Sequence, residues 1–401
     1  SLALAEAAIQ TGDIIGDLSV KLAKDVPPRL AAYRALASSL ASTATGDYVA
    51  AAAALQKAVT QPRAINEPRF WARVVWARYV AGDFKNASTD RGKIVWFVDE
   101  KRGKGKRAEA DPSVQLVDAA LLFASGLPDK ALTMAEKLEG VRPQILRAYA
   151  DLDLGKPKDA FTEADEAFKK APENSEAQIL REQAHVANSE GKERSDAIDA
   201  LEKLARRAKS KIGRHALGMA HKQVGNLKDA QTQLEQAVDN VTAEEPNPLA
   251  YRTRTALASI LLDAGDIAGA GKQLDEALKL NLGYFQARIL QAKIVLRNGE
   301  PERALGLLEA VFKEMSPVPP EVKLIYAEAL GTQKKATAKE KDEAAEVLKS
   351  IKDAVPAAEL SRAAAAIDPK LPKALGLAEP PAGPAPTPAP TPAPTGKKKH
   401  R

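Results

Sequence analysis

The sequence predicts an all-α solenoid of about nine helix hairpins, a partial repeat at the N-terminus and a capping helix at the C-terminal end of the array. Three observations predict it: an alanine-rich, aromatic-poor composition, a glycine-to-alanine motif that recurs along the chain, and an apolar stripe at helical spacing behind each alanine.

Composition comes first because it limits what can form the core. The 401 residues are 45% hydrophobic but only 4% aromatic, so small side chains must do most of the packing. Runs such as Ala50 to Ala54 and Ala363 to Ala366 favour helix and let helices approach closely, while strand-favouring runs are scarce. There is no cysteine, which excludes disulfides, thiolate metal sites and cysteine nucleophiles. Lys plus Arg exceed Asp plus Glu by six, and Lys397, Lys398, Lys399 and Arg401 supply four of that excess, so the body is close to neutral and nucleic acid is not the expected partner.

The motif is a glycine, a short polar stretch, and an alanine five residues after the glycine that opens an apolar helix. It occurs at Gly46/Ala51, Gly82/Ala87, Gly126/Ala131, Gly155/Ala160, Gly225/Ala230, Gly265/Ala270 and Gly299/Ala304. Gly191/Ala197 carries one extra residue, and Gly331/Ala344 about eight. Alanine-to-alanine spacings run 36, 44, 29, 37, 33, 40, 34 and 40. The glycine suits a left-handed residue that ends the first helix of each hairpin. The alanine is small because the two helices cross there.

Behind the alanine, apolar residues follow at offsets of four and seven, which fall on one helix face. Ala160, Ala164 and Ala167 show the stripe, followed by Pro172; so do Ala131, Ala135 and Leu138 with Pro143, and Ala344, Leu348 and Ile351 with Pro356. Ala230/Leu234/Ala237 and Ala270/Leu274/Ala277 keep the stripe without the proline. The hairpin at Ala87 departs from the pattern, with Arg91 in an apolar place.

This pattern resembles the tetratricopeptide-repeat family over residues 1–368, with spacings scattered about that family's 34-residue period and Trp71 and Leu217-Gly218 at its first-helix positions. The resemblance implies a right-handed superhelix whose first helices line a concave groove. Counting in that register places Trp76, Tyr79, Arg181, His185, His215, Lys222, Arg252, Lys293 and Arg297 in the groove. Its mixture of aromatic and basic groups implies a protein or peptide partner of acidic character. The Lys and Asn clamp of the family's chaperone receptors is not reproduced, since Ala216 with Met219, or Leu290 with Lys293, stand at its offsets.

Nothing in the sequence assembles an active site, so the expected function is a non-catalytic interaction scaffold. The basic run Arg102-Gly103-Lys104-Gly105-Lys106-Arg107 has neither the spacing nor the strand of a phosphate loop, and reads as an exposed insertion. His215 and His221 are six apart and do not share a helix face as metal ligands would. No cofactor is expected. From residue 369 the chain is expected to leave the array, becoming a Pro/Ala/Thr spacer in polyproline II with a basic end. The chain opens on Ser1, inside a helix in this register, which leaves an upstream signal, anchor or enzyme domain open. The alternative function is therefore a sensor arm of a larger enzyme such as a protein kinase. Alanine-rich repeats followed by such a spacer resemble bacterial envelope members of the family, which implies an envelope or periplasmic location, the cytoplasm being the alternative.

Overall fold

The computed structural model describes residues 28–44, 47–60, 68–99, 111–208, 211–242 and 245–378, and all regular structure among them is helical. The helices of these described residues form nine successive pairs. The first three are α1 (Pro28–Ala44) with α2 (Tyr48–Val59), α3 (Pro68–Val80) with α4 (Phe84–Asp99), and α5 (Pro112–Ala124) with α6 (Pro128–Ala135). Next come α7 (Val141–Asp153) with α8 (Pro157–Lys170), α9 (Ser175–Asn188) with α10 (Gly191–Arg207), and α11 (Ile212–Gln223) with α12 (Leu227–Val238). The last are α13 (Ala250–Asp263) with α14 (Ile267–Leu280), α15 (Phe285–Arg297) with α16 (Pro301–Glu314), and α17 (Pro320–Gly331) with α18 (Ala338–Ser350). Two further helices close the array, α19 (Ala357–Ile367) and α20 (Leu371–Ala374). Through α18, odd numbers thus mark first helices and even numbers second helices.

Each motif alanine sits on an even-numbered helix and is buried: Ala51, Ala87, Ala131, Ala160, Ala197, Ala230, Ala270, Ala304 and Ala344. The second helices start where local chemistry permits. Pro128, Pro157 and Pro301 occupy the first turn, where a missing N–H costs nothing, and the Asp47 and Asp266 carboxylates accept the backbone N–H of Ala50 and Gly269 at 3.0 and 2.8 Å. The Arg91 departure is compensated. Its guanidinium forks onto Asp118 of α5, with Nη2 donating to Oδ2 at 2.7 Å, so the charge in an apolar register joins one hairpin to the next.

Gly82 and Gly126 have φ of +75° and +82°, as the motif predicts for a residue ending the first helix. Gly331 does not follow that rule. It lies inside α17, and a Cβ there would stand 2.6 Å from Ile367 Cγ1 of α19; its lack of a side chain serves close helix approach, not a left-handed turn.

The chain divides into two compact units, residues 1–294 and 295–401, with the division inside α15. In the second unit Leu324, Leu348, Leu360 and Ile367 make a core, and the Thr337–Glu340 capping box starts α18. The packed chain runs past residue 368, where the sequence reading has the array end. Leu371, Leu375 and Leu377 pack on that core, and Ser361 Oγ donates to the Ala378 carbonyl at 2.7 Å. The spacer from residue 379, the basic run at 101–107 and the partial repeat before residue 28 lie outside the described residues.

The first unit is not a simple stack in which each hairpin meets only its neighbours. The Asn281 side chain donates to the Ala124 carbonyl at 2.8 Å, the Phe285 N–H to the Ser125 carbonyl at 3.1 Å, and the Gln286 side chain to the Gly126 carbonyl at 3.0 Å. Turn glycines share in these contacts. A Cβ on Gly126 would collide with Gln286 Oε1 at 1.7 Å, and one on Gly82 would press on Pro248 Cα at 3.2 Å, so these two turns are tied to hairpins far along the chain.

The crossing of α11 and α12 tests the alanine register. Ala230 is fully buried there, so Ala230→Leu is expected to cost roughly 1–3 kcal/mol through overpacking, whereas Gln236→Leu on the exposed side of α12 should be near neutral. Urea denaturation of the two variants measures the difference.

Candidate functional site

In the first unit, side chains from α3, α5, α7, α11, α13 and the turn before α15 converge on Arg252. This arginine is only 8% exposed, and its Nη2 donates to Oδ1 and Oδ2 of Asp153, at the end of α7, at 2.5 Å each. Its guanidinium lies 4.3 Å from the ring centre of Phe123 and 5.9 Å from that of Tyr284. Burial is the largest single influence and works against the charge, but attraction to Asp153, Tyr284 and Tyr251 and the Asp153 hydrogen bond together outweigh it and hold the guanidinium pKa above its ordinary value. Around the pair, Phe84 meets Tyr251 at 4.7 Å, Tyr251 meets Tyr284 at 4.8 Å, and Tyr79 meets Phe84 at 5.9 Å. Burial raises the pKa of all three tyrosines, Tyr284 to about 12, so these hydroxyls stay protonated.

All nine residues expected in the groove lie on first helices, but they do not share one open surface. Arg252 and His215 are interior. His215 is 4% exposed, its Nδ1 lies 2.9 Å from Thr253 Oγ1, and burial, aided by Arg252, lowers its pKa to about 3. Neither is open to a partner as the sequence reading has it, because Asp153 and Phe123 lie against Arg252 and Thr253 of α13 lies against His215. Arg181 is half-buried and holds Asp165 and Glu182 at 2.7 and 2.6 Å, while His185 Nε2 lies 3.0 Å from Glu193. Lys222 donates to Ser259 Oγ at 3.0 Å. In α15, Lys293 is half-buried and Arg297 exposed.

Trp76 and Tyr79 stack on each other at 5.5 Å, and Trp76 faces a cleft of about 430 Å³ between α3, α5 and the turn into α7. Leu116, Val117, Leu138 and Pro143 make its apolar walls; Arg73, Lys137 and Arg142 are its lining cations, and Glu139 is its lining carboxylate. The Arg142 guanidinium lies 5.2 Å from the Trp76 ring centre. Burial, and repulsion from Arg73, lower its pKa to about 10, with Glu176 opposing. Positive charge is therefore in excess along this lining. Arg73 and Arg142 escape a reading based on the groove register alone. The available signal was the i, i+3 spacing of Arg73 and Trp76, which puts a cation and an indole on one face of α3.

Among the described residues no group of three His, Cys, Asp or Glu side chains is placed to hold a metal, and no helix is long and apolar enough to cross a membrane.

A family model and several solved structures match this chain. A tetratricopeptide-repeat family model matches residues 215–281 and 255–316. Among solved structures, the anaphase-promoting complex hetero-tetramer Cut9–Hcn1 matches with a TM-score of 0.50 at 15% identity, over 88% of this chain and 65% of that one. A thermophilic tetratricopeptide protein of Thermus thermophilus matches at 22% identity and TM-score 0.35, over 46% of this chain and all of the other. Yeast Tom70 matches at 14% identity and TM-score 0.37, over 94% of each chain. No curated protein matches. Tetratricopeptide repeats are thus matched directly over residues 215–316, within an all-helical array, and proteins of that family are in general protein-interaction scaffolds.

The buried histidine makes stability depend on pH. His215 has a folded pKa of about 3 against about 6.5 when unfolded, so in that window the unfolded chain binds the extra proton and stability falls as pH drops. Between pH 6.5 and 5 the term amounts to roughly 2 kcal/mol. Buried Asp151, with its pKa raised to about 6, works in the opposite direction, so the variant comparison isolates the histidine. Denaturation at the two pH values should show a smaller acid loss in His215→Asn than in the parent; equal losses would contradict the interior placement.

Proposed function

We propose that this chain is a non-catalytic scaffold that holds a partner protein by an acidic segment seated in the cleft beside Trp76. One observation carries the reading: Arg73, Lys137 and Arg142 converge on an indole-walled cleft in which Glu139 is the lining carboxylate. Closely placed cations repel one another, and repulsion between Arg73 and Arg142 is already expressed in the lowered Arg142 pKa. A carboxylate from a partner, with an apolar side chain next to it, would relieve that repulsion and cover the walls formed by Leu116 and Leu138. The lining supplies charge and apolar surface, which is the chemistry of recognition.

Arg181, His185 and Lys222 on α9 and α11 are held by partners within the unit. Lys293, half-buried, and Arg297, exposed, are further cations on α15. The acidic preference thus rests on the cleft first and on the α15 cations second. The alternative of a sensor arm of a kinase finds no support in the matches.

Trp76 is a built-in reporter. In an array of short peptides, those with a glutamate next to a leucine should bind at least about tenfold tighter, or about 1.4 kcal/mol, than their glutamine counterparts, as read by tryptophan fluorescence. Salt should weaken the glutamate series. Arg142→Gln should abolish the preference; binding that ignores the glutamate, or that survives in the variant, would overturn the reading.

A further inference from the structure

A second cavity in the first unit has the opposite chemistry. It measures about 160 Å³ and is lined by residues from seven helices and the turn before α13. Tyr48, Tyr79, Phe84 and Tyr149 contribute aromatic rings, and Ile179 and Leu249 contribute apolar wall. Its charged lining groups are two carboxylates, Glu176 within and Glu173 exposed at the rim, and neither lysine nor arginine lines it.

Glu176 is half-buried, and its Oε1 accepts from the Tyr149 hydroxyl at 3.2 Å. Burial holds its carboxyl above the ordinary range, with the Tyr149 hydrogen bond and Arg142 acting against the rise. Arg142 belongs to the neighbouring cleft and does not line this cavity. One N–H of the α9 N-terminus beside Glu176 is already taken, because Asn174 Oδ1 accepts from the Ala177 N–H at 3.0 Å. The carboxylate therefore faces a chamber of aromatic rings without a cation in its lining.

Aromatic faces carry partial negative charge and attract a cation within about 6 Å, most effectively where water is excluded. A primary ammonium is strongly hydrated and needs several acceptors; besides the carboxylates the lining offers it the Thr43 and Ser175 hydroxyls, while Asn174 Oδ1 is already taken by the Ala177 N–H and the rings and apolar walls offer none. A trimethylammonium group needs none, and presents apolar methyls to the rings while its charge is met by Glu176. The size is suitable, since a cavity of about 150 Å³ admits a benzene-sized molecule.

We propose that this cavity is a binding site for a trimethylammonium group, carried either by a small molecule or by a methylated lysine side chain. The site is separate from the basic cleft and does not depend on how that cleft is used. Isothermal titration of the full chain with choline, and in parallel with its uncharged isostere 3,3-dimethylbutan-1-ol, tests the charge requirement without any substitution. Choline should bind at least about tenfold tighter. Glu176→Gln and Tyr79→Leu should each lower choline affinity by a similar factor, while Lys137→Gln in the other cleft leaves it unchanged. A short peptide with a trimethyllysine distinguishes the sources: tighter binding than choline assigns the site to a protein side chain, and weaker binding to a free molecule. Equal binding of choline and its isostere, or no saturable binding of either choline or the peptide, would overturn the proposal.

Discussion

A guanidinium withdrawn from water must be paired or the fold around it fails. Arg252 is such a group, and the first unit is arranged to pair it through Nη2, leaving Nη1 buried without a hydrogen-bond partner. Asp153 comes from the end of α7, 99 positions away in sequence, and Phe123 and Tyr284 bring their rings from α5 and the turn before α15. No single hairpin could supply these partners. The charge is tolerated only when the unit brings together hairpins distant in sequence, so the buried pair acts as a constraint on tertiary arrangement more than as a source of stability.

The same closure explains which glycines are constrained twice. Gly155, Gly225, Gly265 and Gly299 have the left-handed backbone of the turn, but a Cβ on them would meet nothing within 4 Å. Gly82 and Gly126 have that backbone and also touch Pro248 and Gln286. The repeat motif accounts for the backbone in all six. Only contacts between distant hairpins account for the crowding in two.

The hairpins themselves were legible in the sequence because they rest on local rules: the alanine at the crossing, the stripe at offsets of four and seven, and the glycine before the second helix. These place all nine motif alanines on even-numbered helices and in the interior. The site was legible only as an address. Counting in register put His215 and Arg252 correctly on first helices, but whether a first helix faces solvent or another part of the unit depends on contacts that no local spacing encodes. Arg252 looks like any exposed groove cation until Asp153 and Phe123 are seen around it. Conversely, Arg73 and Arg142 come from helices two hairpins apart, and their shared cleft appears only once α3 and α7 are in place. The stretch after residue 368 was hard to read for a related reason. Pro369 and Pro372 make it look like the start of the spacer, and the role of Leu371, Leu375 and Leu377 is fixed only by the core they cover.

If Arg252 and Asp153 hold distant hairpins together, loosening the pair must be felt at both ends of the closure. Hydrogen exchange measured across the chain in Asp153→Asn and in the parent is the direct test. The closure predicts that protection falls together in α5 and in α13 to α14, although the substitution lies in α7, while α18 and α19 are unaffected. Loss of protection confined to α7 and its sequence neighbours α6, α8 and α9 would contradict it, and would mean that the first unit behaves as an ordinary stack of hairpins.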